Sequence, residues 1–116
     1  MERIKWLYRF KTLLESGLTI GLSTDAPVEP TNPWETIYAA VTRGKYDGVP
    51  YYEDTKGESL GVVDALHAYT MGSASVMWSE GELGTLEPGK LADFIVVDVD
   101  PLTIPEGDLR RVRVYP

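Results

Sequence analysis

Residues 20–28, IGLSTDAPV, decide how this chain is read. A mostly apolar run ends in a small polar pair, Ser23 and Thr24, then a single carboxylate, Asp25, then Ala26-Pro27. The run that leads in, LTIGL at 18–22, is almost continuously apolar. That is the pattern of a strand buried on both faces, whereas a half-exposed strand alternates. Asp25 therefore stands at the end of a predicted strand, just before a bend. Two roles suit a carboxylate there. It caps the following turn, as Asp does through its side-chain oxygens, or it is a functional group at the strand end, where α/β folds gather theirs.

On the N-terminal side, Ile4, Leu7, Tyr8, Phe10 and Leu14 recur at roughly helical spacing and predict a helix over 2–16. Gly17 follows it as a C-cap, since glycine enters the left-handed conformation without a Cβ clash. On the C-terminal side, Pro27, Pro30 and Pro33 exclude a central strand or helix interior. Asn32 can cap a helix that begins at Pro33 and runs through PWETIYAAVTRG (33–44), with Trp34, Ile37, Tyr38 and Val41 on one side. Residues 44–60 are rich in Gly, Tyr and charge and read as a loop. It is an exposed connector or, alternatively, a substrate-facing loop carrying Tyr46, Tyr51 and Tyr52.

A further helix is predicted over 62–78, opened by Gly61, with Asp64 in its first turn where the helix dipole favours a negative charge. After Trp78 the texture changes. Pro88-Gly89 suits the centre of a type II turn, ADFIVVDVDP (92–101) reads as a strand, and RVRVY (111–115) alternates like a half-exposed one. The chain is expected to be α/β, divided into 1–79 and a C-terminal β segment, 80–116.

The 116 residues suit one domain or a large piece of one. The net charge of −7 and pI near 4.6 argue against nucleic acid or an anionic membrane surface as partner. The longest apolar run, near FIVVDV, is far short of a membrane span. With no Cys, disulfides and thiolate metal sites are excluded. A cytoplasmic location is the expectation.

Little else in the chain carries chemistry. A catalytic zinc normally takes three protein ligands, and His67 is the only histidine, mid-helix with no second His one turn away. It reads as a helix-surface or packed residue. Ser23, Thr24, Ser73 and Ser75 have no spacing that ties them to His67. No G-x-S-x-G, G-x-G-x-x-G or Walker A pattern occurs.

Two longer stretches sharpen the reading. LLESGLTIGLSTDAPVEPTNPWETIYAAVTRG resembles the last barrel strand and following helix of the metal-dependent amidohydrolases, in their family 3 branch. DALHAYTMGSASVMWSEGELGTLEPGKLADFIVVDVDPL is similar to that family's C-terminal signature, G-x-L-x-P-G-K-x-A-D-x-x-V. Here the signature reads Gly84, Leu86, Pro88, Gly89, Lys90, Ala92, Asp93 and Val96. The resemblance implies a (β/α)8 barrel with a small β-sandwich, to which this chain gives the last barrel strand (about 18–24), its helices and C-terminal sandwich strands. Lys90 then belongs to a structural hairpin and is not catalytic.

For Asp25 the resemblance implies a place at the metal centre, where it orients and deprotonates the attacking water and returns the proton to the leaving nitrogen. The reaction implied is hydrolysis of non-peptide C–N bonds with zinc or another divalent metal in the complete enzyme. The family's His-x-His pair, its bridging Lys or Glu and its two later histidines are absent from these residues. A barrel takes about 250 residues. The chain is thus expected to be a C-terminal part, inactive alone, that self-associates or docks on an N-terminal barrel segment. A stable monomer in gel filtration counts against that. The alternative is a small structural or oligomerising α/β module without activity. Trp34, Tyr51 and Tyr52 read as packing residues before substrate contacts.

Overall fold

Asn32 caps the central helix as its position predicts. In the computed structural model, which describes residues 2–116, Asn32 Oδ1 accepts the Trp34 N–H at 3.1 Å. Helix α2 (Pro33–Thr42) starts there with proline at its first position. It buries Trp34, Ile37, Tyr38, Ala40, Val41 and Thr42. The helix ends one residue earlier than glycine alone would suggest. Arg43 itself takes the left-handed conformation, with φ of 54°. Its guanidinium donates to the Leu7 and Tyr8 carbonyls at 3.0 and 3.3 Å, which ties the N-terminal segment to the end of α2.

That segment is not one helix. A 3-10 turn (Ile4–Trp6) and α1 (Phe10–Glu15) are separated by Tyr8 at φ 48°, a backbone angle no right-handed helix contains. The predicted loop over 44–60 holds one short helix, α3 (Tyr52–Thr55), and a 3-10 turn (Lys56–Glu58). The long helix forms, but in three pieces. Helix α4 (Val62–His67) widens into a π-turn (Ala68–Gly72) and narrows again into α5 (Ser73–Val76).

The expected strands are the main correction. Residues 18–24 are extended but join no sheet, and the Leu22 N–H donates instead to the Ala68 carbonyl at 3.1 Å. Residues 92–101 pair only at the bridge Val97–Val114, flanked by Asp98 N–H to Arg113 O at 3.0 Å and Tyr115 N–H to Val96 O at 2.8 Å. An extended segment becomes a strand only when a neighbour takes its N–H and C=O groups. Among the described residues no neighbouring strand lies along 18–24 or 92–95. These residues form a helical core with two extended arms, and the barrel strand expected at 18–24 and the C-terminal sandwich strands are not paired into sheets in a chain expected to be incomplete as a barrel on its own.

The core joins Leu22, Ile37, Val41, Leu60, Ala65, Leu109 and Val112 around α2. Leu109 is fully buried and comes from a 3-10 turn (Glu106–Arg111) that docks on α2. Arg110 stacks on the Tyr38 ring, 3.7 Å from its centroid, and pairs with Asp47 at 3.1 Å. Tyr38 Oη donates to Asp47 Oδ2 at 2.9 Å. Burial first, then that hydrogen bond, pushes the Tyr38 hydroxyl's pKa up.

Away from this core the chain is open. Trp78 is 90% exposed, Phe94 65% and Ile95 58%. The accessible surface is 8095 Å² for 12.9 kDa, where a folded monomer of that mass exposes about 6,300 Å². The radius of gyration is 14.9 Å, against about 13.4 Å for a compact domain of this length. Among the described residues no helix is long and apolar enough to cross a membrane.

Candidate functional site

The extended segment that carries Asp25 is anchored before it turns. Leu22 is buried, with its N–H on Ala68 O. Its carbonyl accepts the Ser73 hydroxyl at 2.7 Å. Gly21 and Gly72 let the segment lie against the helix. A Cβ on Gly72 would fall 2.1 Å from the Ile20 carbonyl oxygen, and one on Gly21 would meet Ser73 Cα at 3.1 Å. Beyond Leu22 the chain leaves the helix and turns.

Asp25 is exposed and is the first residue of that turn, with Ala26-Pro27 at its centre. Its φ is 55°, in the left-handed region that Asp enters more readily than most residues with a Cβ. Its N–H donates to Ser23 Oγ at 3.2 Å, and its carbonyl accepts the Val28 N–H at 2.9 Å. The peptide bond Ala26–Pro27 is cis. Backbone groups and the Ser23 hydroxyl thus close the turn. Asp25 is exposed, and the hydrogen bonds that close the turn use its backbone and not its carboxylate.

A single carboxylate does not hold a metal. Among the described residues no three His, Cys, Asp or Glu side chains come together to coordinate an ion. The residues of this chain, by themselves, do not fit the three-ligand set of a catalytic divalent metal. His67 is exposed on α4, one of the two placements, helix-surface or packed, that the sequence suggests.

The other candidate residues are placed as follows. Trp34 is a core residue, 3% exposed. Tyr46 Oη donates to Glu106 Oε1 at 2.9 Å beside Lys45, and so belongs to the clasp between the 44–48 loop and the 106–111 turn. There the Lys45 ammonium holds the Glu106 carboxyl below the usual carboxylate range, with help from the Tyr46 hydroxyl. Tyr51 and Tyr52 flank the start of α3. Lys90 pairs with Glu87 at 3.2 Å across the Pro88-Gly89 turn, where Gly89 has φ of 96°. Its N–H also closes the turn on Glu87 O at 3.1 Å, but among the described residues no paired strands flank the turn to make it the expected hairpin.

A groove of ≈610 Å³ opens elsewhere, between α2, α4 and the extended arm. Its lining includes Trp34, Leu66, Tyr69, Phe94 and Ile95, but not Asp25. It is an apolar gap between the helices and the unpaired arm. Sequence reasoning missed the π-turn and the Ser73 hydroxyl. The available signal was Gly72, a glycine inside a helical pattern, which marks a close backbone approach.

Residues 1–115 match the Amidohydrolase family. The crystal structure of an uncharacterized metal-dependent hydrolase from Pyrococcus horikoshii OT3 superposes with a TM-score of 0.82 at 51% identity, over 91% of this chain and 21% of that one. The N-substituted formamide deformylase of Arthrobacter pascens is 32% identical over 113 residues, 97% of this chain and 20% of its own. A 5-methylthioadenosine/S-adenosylhomocysteine deaminase of Caldanaerobacter subterraneus is 33% identical over 106 residues, 89% of this chain and 23% of its own. The chain spans about a fifth of the length of the curated relatives it matches. Matched from its first residue to its last but one, the chain belongs to the amidohydrolase family.

Proposed function

We propose that the chain is the C-terminal part of a metal-dependent amidohydrolase that cleaves non-peptide C–N bonds, and that Asp25 is its contribution to the reacting centre. One observation carries this reading. Asp25 is presented to solvent by a left-handed turn that its carboxylate does not help to close, directly after the anchored segment 18–24. Names of relatives support the bond class, since deformylase and deaminase both describe removal at a carbon–nitrogen bond.

The role of Asp25 is proton transfer. Its carboxylate accepts a proton from the attacking water and delivers it to the departing nitrogen, so the amine leaves neutral. A divalent metal, zinc or another, supplies polarisation of the carbonyl and an acidified water in the complete enzyme. Its other ligands would come from a segment outside these residues, so the isolated chain is inactive in this reading. The same segment, or in its absence a second copy, covers the apolar surface around Trp78 and Phe94. The division into a barrel part, 1–79, and a β part, 80–116, belongs to that assembly, as does a cytoplasmic location.

Segment exchange tests the proposal. The matching C-terminal fifth of the Pyrococcus horikoshii hydrolase is replaced by this chain, and hydrolysis is followed on a panel of N-acyl amines and formamides. Hydrolysis by the exchanged enzyme that falls about 100-fold or more on Asp25→Asn is the expected result, because Asn keeps the size and cannot accept the proton. Equal rates with Asp and Asn at 25 would overturn the role. No hydrolysis with a folded exchanged protein would favour the structural module.

A further inference from the structure

We infer that Ser73 is a positioning residue for Asp25, acting through the π-turn Ala68–Gly72. The inference rests on the catalytic reading of Asp25 given above. In an α-helix each interior carbonyl accepts the N–H four residues on. A π-turn breaks that pattern for one turn, and such turns gather at functional sites. Here the Ala68 carbonyl, at the start of the π-turn, accepts the Leu22 N–H from outside the helix at 3.1 Å.

The second half of the anchor is the Ser73 hydroxyl. It has one proton and two acceptors in reach, Leu22 O at 2.7 Å and Ala68 O at 3.0 Å. The shorter contact goes to Leu22. Both backbone polar groups of Leu22 therefore end on the π-turn and the residue after it. The glycines fix the height of the segment above the helix. With a Cβ at 72 only 2.1 Å from Ile20 O, any larger residue would lift the segment away.

Leu22 is three residues before Asp25, and its side chain is locked in the core. From Leu22 onward the chain runs to the exposed turn, so the anchor sets where the carboxylate stands. Reaction geometry is sensitive on this scale, since a displacement of about 1 Å at a catalytic group costs roughly 100-fold in rate. A serine at 73 thus does more than end a helical turn: its hydroxyl fixes the last buried point before the reacting acid.

The test uses the 116-residue chain, isotope-labelled for NMR, with Ser73→Ala and Ser73→Thr compared to the parent. In Ser73→Ala the Leu22 amide is expected to exchange about tenfold faster. The Asp25 backbone shifts and its amide–Hα coupling should move away from the φ 55° state, while Ile37 and Val41 amides in α2 keep their protection. Ser73→Thr, which restores the hydroxyl, should return Asp25 to its parent state. Unchanged Asp25 signals in Ser73→Ala would overturn the inference. So would loss of protection throughout α2, or a Thr variant that behaves like Ala.

This readout is conformational and independent of turnover. If Asp25→Asn leaves hydrolysis intact in the exchanged enzyme, the catalytic reading fails while the coupling of Ser73 to Asp25 stands. If Ser73→Ala leaves Asp25 in place, the coupling fails and the catalytic reading is untouched.

Discussion

At the scale of single residues, some charges hold structure and Asp25 does not. Glu58 is the clearest of the first kind. Its carboxylate accepts the Thr12 N–H at 2.9 Å, the Thr12 hydroxyl and Arg9 Nε at 3.3 Å, and so ties α1 to the turn before α4. Burial alone would raise its pKa, but the Thr12 and Arg9 hydrogen bonds outweigh burial and hold the carboxyl below the usual carboxylate range. A folded-state pKa below the unfolded one gives stability that is present above the unfolded value and lost as pH falls through the folded one. Acidification below the ordinary carboxylate range is therefore expected to release α1 first. The Thr12 amide resonance should shift in step, and Glu58→Gln should remove that step. A Thr12 amide that does not respond would contradict the assignment. Asp25 is the opposite case. Its backbone closes a turn, its carboxylate does not, and a non-glycine residue at positive φ is a form of strain that clusters at functional sites.

At the scale of elements, what was legible in the sequence was local. Asn32-Pro33 marks the start of α2 because cap and first-turn chemistry lie within a few residues of each other. Pro88-Gly89 marks its turn for the same reason. The strands were not realised, because pairing depends on segments far away in the chain or beyond it. The split of the first helix was hidden as well. Tyr8 bends where its carbonyl can receive Arg43, a contact 35 residues away that no periodicity reveals. The docking of the 106–111 turn on α2 is likewise non-local. Leu109 fills the space beneath Tyr38 and Arg110 with no exposed surface. Leu109→Ala is expected to cost about 3 kcal/mol in urea unfolding. Arg110→Ala, which removes a half-exposed ion pair and a stacking contact, should cost less. The reverse order would show that the clasp, not the packing, holds the turn.

At the scale of the whole molecule, the surface is the argument. The chain exposes about 1,800 Å² more than a folded monomer of its mass, more than one partner's share of a standard protein–protein interface. That excess is apolar where the extended arms run, at Phe94, Ile95 and Val96. The helical core folds around α2, and in the proposed reading the extended arms and Asp25 meet a segment outside these residues. Family membership and the one-fifth coverage of relatives agree with a chain that carries part of a site. Metal content tests this most directly. Elemental analysis is made on the isolated chain and on the segment-exchanged Pyrococcus horikoshii hydrolase, each after dialysis against zinc. The account expects no stoichiometric zinc on the isolated chain. It expects bound zinc on the exchanged enzyme, reduced by Asp25→Asn. Stoichiometric zinc on the isolated chain, or metal in the exchanged enzyme that is indifferent to Asp25, would contradict it.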